Sequence, residues 1–287
     1  DRLVTGVAYK TEWDGGIVED GGEVEILSGG GIEDARIGIH NPGGGGKIMA
    51  TDATFKNNRS DVVIGTIGLG SAWNEDNQSS FTNCSFIFDE PLRDVVWASN
   101  TIGSDDHRYY RYNTQKAPYP RSHVELHNVG EVTFSGCSFS NGKDIPLVSD
   151  EYVSTGIFAF GSEFTCDQQT SFSGLRQGIS AWTYFAANPI SNTLVDDCIF
   201  TDNLVGIRLG SSEFAEVFNS TFNIPEEVPS SEPYLLYPVG IYSGGGAGIR
   251  FIGNTFTTND TSSTPNNLGI YARRTCLNRA NWIADNA

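Results

Sequence analysis

A short unit that ends in phenylalanine recurs along the chain. Three residues before the phenylalanine, six of seven copies carry Asp, Asn or Gly, the residues that best tolerate a left-handed backbone at a tight corner. Five residues before it, five copies carry Phe or Val. Each unit therefore predicts a strand, a one-residue bend and a second strand. The seven phenylalanines are Phe55, Phe86, Phe139, Phe172, Phe200, Phe222 and Phe256.

A second marker, Gly followed by Ile, keeps a constant distance from these phenylalanines. The offset is 16 residues in three copies and 17 in a fourth. Successive phenylalanines lie 31, 53, 33, 28, 22 and 34 residues apart, and the interval of 53 predicts one large insertion. A fixed offset with variable gaps elsewhere is typical of stacked coils whose loops differ in length. The marker occurs at Gly38, Gly156, Gly178, Gly206, Gly240 and Gly269.

These repeats predict an all-β fold: a parallel β-helix, or β-solenoid, formed as a single elongated domain with one large loop insertion. Neighbouring coils of such a fold lie about 4.8 Å apart, so equivalent side chains stack and the phenylalanines form an interior ladder. Asn or Asp at the recurring corner can satisfy backbone groups that the bend leaves unpaired. A β-sandwich with Gly-rich turns is the alternative, but it gives no reason for the constant offset.

The same domain is expected to fill residues 1–287. Residues 1–40 would form the N-terminal coils and residues 99–121 the loop insertion. The segment 281–286 has the pattern of a further coil that is cut short. Because an unfinished solenoid end exposes a sheet edge, we expect the native chain to continue into further domains.

Composition limits the partners of the chain. Its 35 acidic and 18 basic residues give a net charge of −17, whereas a nucleic-acid surface needs clustered Lys and Arg, so no nucleic-acid partner is expected. No run approaches about 18 apolar residues, so no membrane insertion is expected. The 33 glycines and the many Ser, Thr and Asn residues favour strands and turns.

The five cysteines include no CxxC pair, which argues against a disulfide framework and against a zinc site. Cys84, Cys137 and Cys198 each lie two residues before a ladder phenylalanine, and we expect them to be buried, unmodified thiols. Cys166 and Cys276 lie outside the repeat, and their spacing leaves open whether they are paired.

Several longer motifs accompany the repeats, at residues 13–16 with 21–22, 32–35 with 38–39, 53–57, 123–130 with 132–139, and 200–203 with 206–209. In these motifs the chain resembles the right-handed parallel β-helix repeat proteins of the pectate-lyase-like superfamily. It is similar, more narrowly, to secreted repeat proteins of Bacteroidota-type bacteria that carry a type IX secretion sorting domain. The resemblance implies a right-handed coil, a secreted or cell-surface location, and a role as adhesin, surface scaffold or polysaccharide-degrading enzyme.

The loop insertion supplies the candidate ligand-binding residues. Residues 93–121 hold five basic and three acidic side chains, so this segment is positive on an acidic chain. Tyrosine rings stack on sugar C–H groups, and the guanidinium groups of arginine bind carboxylates. This combination of side chains suits a glycan or another anionic ligand. The alternative is a structural loop in which the rings of Tyr and the aliphatic parts of Arg pack across the solenoid. The candidates are Arg108, Tyr109, Tyr110, Arg111, Lys116 and Arg121.

Catalytic residues are not identifiable from the linear sequence. Polysaccharide lyases of the superfamily gather calcium with carboxylates, but neither adjacent pair of aspartates, at 105–106 and at 196–197, faces one side of a strand. No cofactor is therefore expected, and calcium stays an alternative that the sequence does not support. His123 and His127 are expected on the outer, solvent-facing side of a strand, about 13 Å apart, which is too far to share a metal ion.

The sequence thus favours a secreted or cell-surface, non-catalytic β-helix scaffold or adhesive module that binds a glycan or a surface protein. The alternative is a polysaccharide lyase or glycoside hydrolase with a cleft along one face of the β-helix, beside residues 99–121. Two carboxylates and a base that converge on stacked strands would favour the enzyme.

Overall fold

The computed structural model describes residues 16–19, 21–35, 37–43, 45–65, 77–89, 122–142, 155–182, 192–210, 212–226, 238–258, 268–272 and 282–286. These residues form strands and connecting turns, and contain no helix. A search of the same residues for a long apolar helix of membrane-spanning character finds none.

Nearly all strands belong to three long sheets. Sheet 1 contains β1 (Ile17–Val18), β4 (Ile37–Asn41), β7 (Ser60–Gly65), β10 (Ser122–His127), β13 (Thr155–Phe160), β16 (Gln177–Trp182), β19 (Val205–Gly210), β23 (Val239–Ser243) and β27 (Leu268–Ala272). Sheet 2 contains β2 (Glu23–Ile26), β5 (Lys47–Thr51), β8 (Ser80–Thr82), β11 (Val132–Ser135), β14 (Phe164–Asp167), β17 (Thr193–Asp196), β21 (Ala215–Phe218), β25 (Arg250–Ile252) and β28 (Trp282–Ala284).

Sheet 3 contains β3 (Gly31–Glu33), β6 (Thr54–Lys56), β9 (Ser85–Phe88), β12 (Ser138–Asn141), β15 (Ser171–Ser173), β18 (Ile199–Thr201), β22 (Thr221–Ile224) and β26 (Thr255–Thr258). A short pair, β20 (Ser212–Glu213) and β24 (Gly246–Ala247), lies apart from the three sheets. The chain visits sheets 1, 2 and 3 in turn, and each strand pairs in parallel with the strand of the next coil. The predicted parallel β-helix is thereby confirmed.

The corner between sheets 2 and 3 has a left-handed backbone in coil after coil. The φ angles there lie between 48° and 70°. Asp, Asn and Gly are the residue types that adopt this region at least cost, so the strand, bend and strand of each unit follow directly from the sequence. The corner residues are Asp52, Asn83, Gly136, Asp197, Asn219 and Gly253.

The interior holds a continuous ladder of phenylalanine rings on sheet 3. Ring centroids of consecutive coils are 4.5–4.9 Å apart, and the rings are within 13° of parallel. Parallel pairing places equivalent residues directly above one another, so each ring covers the ring of the next coil. The ladder runs through Phe55, Phe86, Phe139, Phe172, Phe200, Phe222 and Phe256.

The constant distance between Gly-Ile and Phe is explained by a contact within one coil. A Cβ atom at Gly156 would lie 2.8 Å from Cδ1 of Phe172, and one at Gly206 would lie 2.8 Å from Cδ1 of Phe222. These separations are too short for carbon atoms, so the phenylalanine ring occupies the space that a side chain would need. Sheet 1 and sheet 3 therefore pack closely where the glycine column faces the ladder.

The four cysteines within the described residues are buried and carry free thiols. Cys84 and Cys137 lie on neighbouring coils beside the ladder, where their Sγ atoms approach the carbonyl oxygens of Ala50 at 3.4 Å and Phe81 at 3.3 Å. Cys166 lies in the core on sheet 2. Cys276 lies outside the described residues.

Candidate functional site

The candidate binding residues of the loop insertion lie outside the described residues, since 90–121 are not among them. This concerns Arg108, Tyr109, Tyr110, Arg111, Lys116 and Arg121. Their role in ligand binding stays a prediction.

The described residues do form a candidate binding surface, on the outward side of the later strands of sheet 1. Side chains alternate between the two sides of a strand, so the residue after each inward-facing Ile points away from the core. In the register of the sheet these outward residues form one column across successive coils. The column contains His40, Val63, Glu125, Phe158, Ser180, Arg208, Tyr242 and Tyr271.

Arg208 lies between two aromatic rings on this surface. The carbon of its guanidinium group is 4.8 Å from the centroid of the Trp182 ring and 5.8 Å from that of Tyr242. Both distances are within the range of cation–π attraction. The stack continues to the next coil, where the centroids of Tyr242 and Tyr271 are 5.4 Å apart. We call Trp182, Arg208, Tyr242 and Tyr271 the aromatic platform.

Two glycines make room for the rings of the aromatic platform. Gly210 pairs with Trp182 in the sheet, and a Cβ atom at Gly210 would overlap the indole ring. A Cβ atom at Gly244 would lie 3.2 Å from Cε1 of Tyr242. The indole Nε1 of Trp182 also donates a hydrogen bond of 2.8 Å to Oγ of Ser180. The orientation of the indole is thus fixed by the strands beneath it.

A second group of polar side chains lies at the coils that carry β7 and β10. In the register of sheet 1, Asp61 is the neighbour of Gly38, and His123 is the neighbour of Gly156. Both residues thus occupy the position at which other coils have the glycine of the Gly-Ile marker. His123 Nδ1 is 2.6 Å from Asp61 Oδ2, and the two side chains are 2% and 1% exposed. Asn58 Nδ2 donates to Asp61 Oδ1 at 2.7 Å.

The surroundings of Asp61 raise the pKa of its carboxyl group. Burial raises the pKa of the Asp61 carboxyl, and the contacts with His123 and Asn58 oppose that shift without cancelling it. His123 also packs against the core, with its ring centroid 6.2 Å from that of Phe139. Its Nε2 atom has no hydrogen-bond partner within the described part of the chain.

Glu125 and His127 extend this polar group along β10. Ser60 Oγ donates to Glu125 Oε1 at 3.1 Å, and His127 Nε2 lies 3.4 Å from Glu125 Oε2. Every residue of β7 and β10 is buried, on both sides of the strands. The expectation that His123 and His127 face solvent is therefore wrong: both are buried, His123 against Asp61 of the neighbouring strand and His127 against Glu125 of its own strand.

Two carboxylates and two histidines thus converge on stacked strands, which is the arrangement that would favour an enzyme. Asp61, His123, Glu125 and His127 are nevertheless at most 2% exposed. A polymer substrate cannot touch them in this structure. No three His, Cys, Asp or Glu side chains within the described ranges form a group suited to a metal ion.

Comparison with protein families gives one match. A family model described as a right-handed beta helix region matches residues 99–256. The chain belongs to this right-handed β-helix family. No curated protein and no solved structure matches it significantly. Family membership establishes the architecture, but β-helices of one architecture carry unrelated functions, so the function has to be argued from the surface.

The aromatic platform of this β-helix was not predicted from the sequence, although a signal for it exists. The residue after each Gly-Ile marker must point outward if the Ile points inward. Reading that position along the chain gives His40, Phe158, Ser180, Arg208, Tyr242 and Tyr271. Its enrichment in aromatic and basic residues on the later coils marks the platform, whereas Trp182 lies two residues further along its strand.

Proposed function

We propose that this β-helix is a secreted or cell-surface, non-catalytic scaffold or adhesive module that binds glycans along the outward side of sheet 1. The observation that carries the proposal is the stack of Trp182, Arg208 and Tyr242 on three consecutive strands. Exposed parts of aromatic rings contact the C–H groups of sugars, and a guanidinium group held between the rings supplies hydrogen-bond donors.

The platform is accessible to a ligand. Trp182, Arg208 and Tyr242 are half-buried, and Tyr271 is 39% exposed. Their rings are held in place by packing on glycines and by cation–π contacts, so little side-chain freedom is lost when a sugar binds. Such a preformed surface is typical of a binding module.

The non-catalytic part of the proposal is supported by the burial of Asp61 and Glu125. A lyase or a glycoside hydrolase needs a carboxylate or a base within hydrogen-bond reach of the scissile sugar. Near the platform, the strands β13, β16, β19, β23 and β27 contain no acidic residue. A polysaccharide lyase or glycoside hydrolase is therefore the less favoured alternative function.

A glycan array with single substitutions tests the binding surface. Trp182→Ala and Tyr242→Ala should each weaken glycan binding, since stacked aromatic groups contribute about 1 kcal/mol or more to an interface. Arg250→Ala is the matched control, because Arg250 also lies over an aromatic ring, Phe218 at 5.2 Å, but on sheet 2. Equal effects of the control and the platform variants would contradict the proposed surface.

The same array separates the platform from the loop insertion. Replacing Arg108, Tyr109, Tyr110 and Arg111 together by Ala tests the surface that the sequence suggested. Loss of binding in this variant, with normal binding in Trp182→Ala, would move the site to the insertion.

An assay for turnover tests the non-catalytic part. A lyase would release unsaturated uronate ends and a hydrolase would release reducing ends. Neither is expected from pectin, alginate or neutral plant and algal glycans, with or without calcium. Turnover that is abolished by replacing one outward carboxylate would establish the enzyme instead.

A further inference from the structure

Among the described residues, Arg208 differs from Arg250, the other arginine that is not buried, in having no acidic partner. Its contacts within the described residues are the aromatic rings of Trp182 and Tyr242. Arg250, on sheet 2, lies over Phe218 in a similar way but also binds Glu216 Oε1 through NH1 at 2.6 Å. A guanidinium group without a carboxylate keeps its forked donors available for a ligand.

The described strands of sheet 1 around Arg208 carry no competing negative charge. The five strands from β13 to β27 of sheet 1 contain no Asp or Glu, and Arg208 is their only charged residue. The whole chain carries a net charge of −17, which would repel an anion at long range. At physiological salt, however, exposed charges are screened beyond about 8 Å, so an anion at Arg208 is affected mainly by nearby groups, and the five strands contribute no acidic one.

The spacing of the platform fits an extended sugar chain. Trp182 and Tyr242 lie on β16 and β23, with β19 and Arg208 between them. Two strand spacings amount to about 9.6 Å. The disaccharide repeat of an extended, equatorially linked glycan covers a similar distance. A glycan that runs along the solenoid axis would therefore pass the exposed parts of Trp182 and Tyr242 with two alternate sugars and the guanidinium group of Arg208 with the sugar between them.

We infer that the ligand of this face is an anionic glycan, lying along the solenoid axis, whose carboxylate or sulfate group is bound by Arg208. The inference rests on the proposed function and names its ligand class. Trp182 and Tyr242 supply affinity for any stacked sugar, whereas Arg208 supplies the preference for charge.

Binding to charged glycans and their neutralised forms tests the inference. The probes are alginate with carboxyl-reduced alginate, and carrageenan with desulfated carrageenan, measured by biolayer interferometry on the full chain. The unmodified protein should bind the charged member of at least one pair more tightly. Arg208→Gln should lower this preference about ten-fold, the usual effect of losing a charge-assisted hydrogen bond. A preference within the alginate pair indicates that Arg208 binds a carboxylate, and a preference within the carrageenan pair indicates a sulfate.

Three comparisons make the result decisive. Trp182→Ala should weaken binding to both members of a pair, and Arg250→Gln should change neither. Unaltered binding of Arg208→Gln to the neutral member shows that the variant is folded. Equal binding of charged and neutral members by the unmodified protein, or equal weakening of both by Arg208→Gln, would overturn the inference and leave the proposed function standing. Absence of binding to every probe would also overturn the inference, and the glycan array then decides whether the proposed function stands.

Discussion

A phenylalanine of the ladder is confined on both sides along the solenoid axis. The ring of Phe139 lies 4.5 Å from that of Phe86 and 4.8 Å from that of Phe172, and the residue is 1% exposed. The neighbouring coils are held at a fixed spacing by their parallel pairing, so they cannot move together to fill a gap. Removal of one ring therefore leaves a cavity.

Phe139→Ala should lower the free energy of unfolding by about 3–5 kcal/mol, the cost of a buried phenylalanine with its cavity. Denaturant titration measures this loss. The control is Phe218→Ala, because Phe218 is half-buried on the outward side of sheet 2, and its cost should be about 1 kcal/mol or less. Similar losses for the two variants would mean that Phe139 does not have a closed core around it.

Asp61 is a buried titratable residue whose folded environment makes the stability of the chain depend on pH. Burial raises the pKa of its carboxyl above the ordinary value of 3.8. The folded chain therefore holds the Asp61 proton to a higher pH than the unfolded chain does. The stabilising contribution of the protonated form is fully present below the ordinary value and is lost as the pH rises through the folded pKa.

Asp61→Asn should remove this pH dependence, because the amide keeps an acceptor for Asn58 and cannot ionise. The stability of the variant relative to the unmodified protein should rise as the pH increases from about 4 to 7. Urea unfolding at several pH values gives this difference directly. A difference that stays constant across that interval would show that Asp61 does not titrate as its burial requires.

At the scale of strands and corners, the sequence predicts what is local or repeats. The left-handed corners follow from Asp, Asn and Gly three residues before phenylalanine, and the coil follows from the constant offset between Gly-Ile and Phe. Both signals arise within one coil, where the number of residues between the interacting groups is fixed. The alternation of side chains between the core and the outer side of each strand is equally local. It predicts that the Ile points inward and that the residue after it points outward.

Contacts between coils with a long connection could not be predicted. Asp61 and His123 are adjacent in the sheet but 62 residues apart in the chain. Neither belongs to a repeated unit, because each replaces the glycine that would have marked the coil. The sequence therefore shows two unrelated polar residues where the structure has a buried pair. The burial of Glu125 and His127 was missed for the same reason, since it depends on what surrounds β7 and β10.

The whole molecule is organised in one dimension, since each coil pairs with the coils before and after it. Burial along this axis is uneven. All residues of β10 are buried, whereas β26 and β27 in the last coils, and β2 near the first, have mostly exposed or half-buried residues. In a solenoid the stability of a segment depends on its own packing and on its neighbours, so local opening should follow this gradient.

Hydrogen exchange followed by mass spectrometry should therefore divide the chain into a protected centre and faster ends. Amide hydrogens of β10, β13, β16 and β19 are expected to exchange most slowly, because their strands are paired on both sides and largely buried. Those of β2 and β26 should exchange faster, although they too have partners in the sheets. Because all exchange rates are compared within one protein under one condition, they need correction only for the intrinsic exchange rate of each amide. Uniform protection from β2 to β26 would show that the coils open as one cooperative unit, and would contradict nearest-neighbour stability.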